Sequence, residues 1–139
     1  MLAIVPARGG SKGILRKNLR PINGKPLVLH VLDTLRQVTE IDRIVVSTED
    51  PTIRTVARLH GFDVVDRPPE LAADDVGIAR VAAHAVQTIG HEGEVGVFQP
   101  TSPFLRPKTI RSAIDRLRQA DGPDSVVAVT PASHIAWYD

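Results

Sequence analysis

Residues 2–18, LAIVPARGGSKGILRKN, join an apolar run to a basic, glycine-rich loop. The apolar run predicts a buried strand over Leu2–Ala7. In the loop that follows, we expect Gly9, Gly10 and Gly13 to adopt positive φ angles and to let the backbone approach a ligand closely. Four cationic side chains surround these glycines: Arg8, Lys12, Arg16 and Lys17. A bound polyphosphate would satisfy the charge of all four.

The positive charge of the chain is concentrated in this first segment. The first 32 residues contain six Lys or Arg and no Asp or Glu, whereas the remainder contains 16 acidic and 11 basic residues. The formal net charge of the whole chain is only +1. Because a protein that coats nucleic acid needs a larger positive excess, we expect no nucleic-acid partner.

Length and composition limit the class of protein. A chain of 139 residues with 42% hydrophobic content suits one domain, which we expect to span residues 1–139. The lack of cysteine excludes a disulfide framework and a Cys-based metal site or nucleophile, and it fits a reducing compartment. The apolar runs are too short to span a membrane, and because an apolar run follows Met1 directly we expect no signal peptide. We therefore expect a cytoplasmic protein with no membrane partner.

Apolar runs and helical periodicity alternate along the rest of the chain. Further strands are predicted at four places: Arg43–Ser47, Asp63–Val65, Val95–Phe98 and Ser125–Val129. Four helices are predicted between the strands: one from Pro26 to Val38, one capped by Asp50 and closed by Gly61, one from about Asp75 to Ile89, and one from Pro107 to Gly122. This alternation predicts an open α/β fold, a three-layer sandwich with a mostly parallel central sheet.

The loops that follow the predicted strands are rich in polar residues. Ligands bind beyond the carboxyl ends of the strands in such sheets, so we expect these loops to face one crevice. Besides the glycine-rich loop, they are Ser47–Asp50, Arg67–Glu70 and Gln99–Pro103.

Other phosphate-binding and metal-binding motifs do not fit the sequence. Gly13 follows Lys12 where a P-loop requires a hydroxyl residue, and the loop lacks the G-x-G-x-x-G spacing of dinucleotide-binding folds. No pair of histidines has the compact spacing typical of a metal site. The loop is therefore of a different type.

Four motifs in order carry a resemblance to a known family. They are ARGGSKG at 7–13 with Lys17-Asn18, VSTED at 46–50, RPPELA at 67–72 and FQPTSP at 98–103. Together they resemble the N-terminal part of the acylneuraminate cytidylyltransferases, the CMP-sialic acid synthetases and their relatives. The resemblance covers residues 2–131 and implies a nucleotide-diphospho-sugar transferase-like, Rossmann-like fold.

The resemblance implies a reaction in which CTP and an acidic sugar give a CMP-sugar and pyrophosphate. Such an in-line transfer depends on positioning and on neutralising phosphate charge, and it requires no covalent nucleophile. Mg²⁺ is implied with the triphosphate, although its ligands cannot be identified in this chain. A homodimer is compatible with the family.

The resemblance also assigns roles to individual residues. The proposed catalytic residues, which would hold the phosphates, are Arg8, Lys12 and Lys17. The proposed nucleotide-binding residues are Gly10, Ser11, Gly13, Asn18, Arg67 and Gln99.

Several of these residues have a structural alternative. The glycines can serve a tight turn alone, and Arg16 can be a solvated surface residue. Arg67 can be a structural ion-pair partner, and Asp50 can simply cap a helix.

The sequence departs from the family in two ways. Family members are usually longer, and the later half ordinarily carries the acidic metal ligands, much of the sugar pocket and the dimer-forming segment, so we expect a chain truncated at its C-terminus. Residues 74–78 also lack the Ser or Thr that relatives place beside the nucleotide. Three hypotheses remain: an acidic-sugar cytidylyltransferase, a non-catalytic nucleotide-binding remnant, and a sugar nucleotidyltransferase of another specificity.

Overall fold

A computed structural model describes residues 1–129 and contains six strands, numbered in chain order. They are β1 (Leu2–Pro6), β2 (Pro21–Ile22), β3 (Lys25–Pro26), β4 (Arg43–Thr48), β5 (Asp63–Asp66) and β6 (Val95–Val97). The central sheet has the order β5-β4-β1-β6, and all of its pairings are parallel. This confirms the predicted parallel sheet.

Four helices surround the sheet. They are α1 (Leu27–Leu35), α2 (Pro51–Leu59), α3 (Ile78–Ile89) and α4 (Pro107–Leu117). Two 3-10 turns, Lys17–Leu19 and Pro69–Ala72, lie in the loops after β1 and β5. No helix within residues 1–129 is long and apolar enough to cross a membrane.

The core has two parts because alternate residues of a strand point to opposite faces of the sheet. Ala3 and Val5 pack into a cluster with buried residues of α1, α2 and α4. Leu2 and Ile4 pack into a second cluster that contains Ala85 of α3. The helices therefore cover both faces, which confirms the three-layer α/β sandwich.

The ends of α2 and α3 follow the sequence signals. One carboxylate oxygen of Asp50, Oδ1, accepts hydrogen bonds from the backbone N–H groups of Thr52 and Ile53, at 2.8 and 2.9 Å. The predicted helix cap is therefore confirmed. Gly90 ends α3 with a φ of 66°, in the left-handed region that glycine adopts without strain.

The predicted helix boundaries were wrong at four places. Helix α1 ends at Leu35, three residues before the predicted end at Val38. Pro26 precedes α1 and belongs to β3, where it pairs with Pro21 of β2. Helix α3 begins at Ile78, because Gly77 before it is extended. Helix α4 ends at Leu117, five residues before Gly122.

The predicted strand Ser125–Val129 was also wrong. None of these five residues is in a strand, and the side chains of Val127 and Val129 are 76% and 84% exposed. β-Branched residues favour a strand where a neighbouring strand pairs with them and buries them, and no described strand does so here.

Sequence reasoning missed the hairpin of β2 and β3. Its turn is Asn23-Gly24, with φ angles of 49° and 77°. Positive φ at both positions is typical of a type I′ turn, for which Asn-Gly is the preferred sequence. The dipeptide was the signal that could have predicted it.

Candidate active site

A cleft of about 310 Å³ lies at the carboxyl ends of the central strands. It is lined by the loops after β1, β5 and β6, as expected for a parallel α/β sheet. Six of the predicted site residues line it: Arg8, Ser11, Lys17, Asn18, Arg67 and Gln99. The structure thus brings together side chains that are up to 91 positions apart in the sequence, between Arg8 and Gln99.

The loop after β4 reaches this region through Glu49. The backbone N–H of Gly9 donates to Glu49 Oε1 at 2.7 Å, and Arg67 Nη2 donates to Glu49 Oε2 at 2.6 Å. The side chain of Arg67 is only 4% exposed, and that of Glu49 is 19% exposed. One carboxylate therefore joins the loops after β1, β4 and β5.

Arg67 belongs to the cleft and to an ion pair at the same time. Its pairing with Glu49 is the structural alternative that the sequence left open, and its side chain also lines the cleft. Its backbone N–H donates to Thr48 O at 3.0 Å, which continues the pairing of β4 with β5. Arg67 Nε is buried and has no hydrogen-bond partner among the described residues.

Asp74 occupies the cationic side of the cleft. Its two carboxylate oxygens lie 2.7 Å from Arg8 Nη1 and 2.5 Å from Lys12 Nζ. Hydrogen bonds from Lys12 and then Arg8 hold the pKa of Asp74 below its ordinary value. The family resemblance placed residues 74–78 beside the nucleotide, but the ion pairs of Asp74 with Arg8 and Lys12 were not predicted from the sequence.

The glycines of the loop act differently from the prediction. None of Gly9, Gly10 and Gly13 has a positive φ, so that expectation was wrong. A Cβ at Gly9 would lie 2.3 Å from Asp50 Oδ2 and 2.9 Å from Asp50 Cβ, so the lack of a side chain lets the loop approach the start of α2. A Cβ at Gly10 or Gly13 would meet no described atom within 4 Å, and neither glycine lines the cleft.

Within the basic loop, the residue with a positive φ is Arg16, at 52°. Its guanidinium donates to Thr52 Oγ1 at 2.8 Å and remains about half exposed. This geometry ties the end of the basic loop to α2. Arg16 is thus a surface residue, as the alternative held, with a tertiary contact that the sequence did not indicate.

The remaining cationic and amide groups differ in their surroundings. Asn18 is buried, and its Nδ2 donates to the backbone oxygen of Arg8 at 2.9 Å, so it fixes the loop while lining the cleft. Lys17 precedes it in the same 3-10 turn. The side chain of Lys12 is 84% exposed and is outside the cleft lining, which it reaches only through Asp74.

Within residues 1–129, no group of three His, Asp or Glu side chains could hold a metal ion. Asp74, the one acid in the cleft lining, and Glu49, which binds Arg67, are both engaged by cationic side chains. The described residues therefore do not fit a Mg²⁺ site made by protein ligands alone.

Solved structures with this fold include cytidine nucleotide enzymes. CMP:2-keto-3-deoxy-manno-octonic acid synthetase, solved with CTP, superposes with a TM-score of 0.76 at 22% identity, over 86% of this chain and 47% of that chain. The enzyme 4-diphosphocytidyl-2C-methyl-D-erythritol synthase superposes with a TM-score of 0.66 at 18% identity, over 86% of this chain and 55% of that chain. At these identities the likeness shows the fold.

Curated relatives are similar over most of the chain. A CMP-N,N'-diacetyllegionaminic acid synthase of Legionella pneumophila is 37% identical over 138 residues, 96% of this chain and 59% of the relative. An N-acylneuraminate cytidylyltransferase of Escherichia coli is 31% identical over 130 residues, 94% of this chain and 31% of the relative. A 3-deoxy-manno-octulosonate cytidylyltransferase of Hydrogenovibrio crunogenus is 34% identical over 117 residues, 84% of this chain and 46% of the relative.

The chain thus spans between 31% and 59% of the length of these relatives. A family model described as Cytidylyltransferase matches residues 2–135. Because this match covers nearly the whole sequence and the fold agrees with it, the chain belongs to the cytidylyltransferase family.

Proposed function

We propose that this chain supplies the CTP-binding part of an enzyme that transfers CMP from CTP to an acidic sugar and releases pyrophosphate. The observation that carries the proposal is the convergence of Arg8, Lys17 and Arg67 with the amides of Asn18 and Gln99 on one cleft. The curated relatives are named for three different acidic sugars, which supports the substrate class.

The charges of the cleft suit a triphosphate. Arg8 and Lys12 now share the single carboxylate of Asp74, and a triphosphate would offer them more negative charge and more acceptor oxygens. Lys17 adds a cation to the lining, and Ser11 adds a hydroxyl donor. We therefore assign the phosphates to the side of the cleft formed by the loop after β1.

The other side of the cleft suits the nucleoside. Glu49 neutralises the charge of Arg67, which leaves a guanidinium with donors and no net local charge. Gln99 carries both an amide donor and a carbonyl acceptor, as recognition of a base edge requires. We assign the cytidine to this side.

The proposed transfer is an in-line displacement. A sugar hydroxyl oxygen forms a bond to the α-phosphorus of CTP while the bond from that phosphorus to pyrophosphate breaks, and the hydroxyl proton is released to water. Arg8, Lys12 and Lys17 would stabilise the negative charge that develops on the phosphate oxygens and on the departing pyrophosphate. Mg²⁺ would arrive with the triphosphate, because the described residues supply no ligand set of their own for it.

Titration calorimetry of the 139-residue chain tests the proposal, with CTP and ATP compared in the presence and absence of Mg²⁺. Tighter binding of CTP than of ATP is the expected result. Equal binding of both nucleotides would indicate only a generic phosphate-binding loop. If the folded chain bound neither, CTP binding by this polypeptide would be refuted.

A further inference from the structure

We propose that Glu49 is a positioning residue that couples the phosphate side of the cleft to Arg67 on the nucleoside side. The proposal rests on the proposed function for the identity of the ligand. The coupling of Gly9 to Arg67 through Glu49 is a property of the ligand-free protein and does not depend on the proposed function. Glu49 is outside the cleft lining, so it acts through the groups that it binds.

The two oxygens of Glu49 have separate partners. Oε1 accepts from the backbone N–H of Gly9, and Oε2 accepts from Arg67, at 2.7 and 2.6 Å. Gly9 is directly bonded to Arg8, whose side chain lines the phosphate side. A shift of the carboxylate would therefore change the positions of both sides of the cleft.

Burial makes this contact obligatory for Arg67. A guanidinium with 4% exposure needs a nearby negative charge, because an unpaired buried charge is strongly destabilising. Glu49 is its acidic partner in the described part of the chain. The orientation of Arg67 toward the cleft is thus fixed by Glu49.

Gly9, which binds the other oxygen of Glu49, is also held in place. Gly9 lies so close to Asp50 that a Cβ would overlap that side chain. Asp50 in turn caps α2 and follows Glu49 directly in the sequence. The loop after β1 is thus held between two neighbouring acidic residues, one of which also holds Arg67.

NMR of the ligand-free chain tests the coupling. The substitution Arg67→Lys keeps the charge and alters the contact with Glu49, so it is expected to shift the amide resonance of Gly9, whose N–H binds the other oxygen of Glu49. In a Glu49→Gln background this response is expected to disappear, because Gln has one acceptor oxygen for two donors. The exposed carboxylate Glu92, which precedes β6 and is outside the cleft lining, provides the control, and Glu92→Gln is expected to leave the response intact.

Calorimetry tests the consequence for the ligand. Glu49→Gln is expected to weaken CTP binding about tenfold, as loss of one charge-assisted hydrogen bond would, while Glu92→Gln is expected to bind CTP like the unmodified chain. If Glu49→Gln does not fold, Glu49→Asp keeps the charge but is one methylene too short for both partners, and the same loss is expected.

The outcomes separate the two proposals. The positioning role would be overturned if the amide resonance of Gly9 did not shift in Arg67→Lys. It would also be overturned if folded Glu49 variants bound CTP as tightly as the unmodified chain. If Gly9 and Arg67 were coupled in a chain that bound no CTP, the positioning role of Glu49 would be supported and only the proposed function would be refuted.

Discussion

Lys12 Nζ lies 2.5 Å from Asp74 Oδ2, a carboxylate that lines the cleft. The same carboxylate contacts Arg8 through its other oxygen. Asp74 therefore forms ion pairs with two of the three cationic side chains that we assign to the phosphates. A triphosphate has to displace it, and this competition leads to the first prediction.

Asp74→Asn is expected to strengthen CTP binding by up to about fivefold, because exposed ion pairs that must be broken contribute roughly 0–1 kcal/mol. The measurement is titration calorimetry at constant ionic strength. Asp75→Asn, an exposed acid next in sequence, is the control and should leave the affinity unchanged. Weaker binding by Asp74→Asn would mean that Asp74 organises the cations and does not compete for them.

Lys17→Ala is expected to weaken CTP binding about tenfold, since it removes a cation from the cleft lining. Lys108→Ala is the matched control because Lys108 is an exposed lysine in α4, outside the cleft lining. Both variants should unfold at the same urea concentration as the unmodified chain. Equal affinities for CTP in the two variants would remove Lys17 from the proposed site.

Gly9→Ala is expected to lower the free energy of unfolding by about 1–3 kcal/mol through overpacking against Asp50. The displaced Asp50 would also cap α2 less well. Gly10→Ala is the control, because a Cβ there meets no described atom within 4 Å. Urea denaturation of both variants makes the measurement, and equal stabilities would contradict the described approach of the loop to α2.

The pKa of Glu94 is lowered, chiefly by hydrogen bonds from Arg118. Since the carboxyl binds its proton more weakly in the folded chain, the pair stabilises the fold above the ordinary Glu pKa of about 4.3. This stabilisation is lost as the pH falls through the lower, folded-state pKa. A ¹³C NMR titration should show the Glu94 pKa rising toward its ordinary value in Arg118→Gln, and a pKa that stays low would show another cause.

The elements predicted from the sequence are those with strong local signals. Leu2–Val5 forms a strand because an uninterrupted apolar run can be buried on both faces of a parallel sheet. Helix α2 begins where Asp50 and Pro51 indicate, because cap and N1 preferences depend on the nearest backbone groups. The prediction of a strand over Ser125–Val129 was wrong because a strand also requires a neighbouring strand to pair with, which its valines cannot supply.

The sequence by itself determined the alternation of strands and helices, the order of the motifs and the loops that carry the site. These depend on periodicity, capping and residue type over a few neighbouring positions. Only the tertiary structure decided which hydrogen-bond donor each acid meets. Glu49 reaches Gly9 across 40 positions and Asp74 reaches Arg8 across 66, because parallel register brings the strand ends, and with them the loops, to one edge of the sheet. Charge attraction between exposed side chains is too unspecific to select these partners from the sequence.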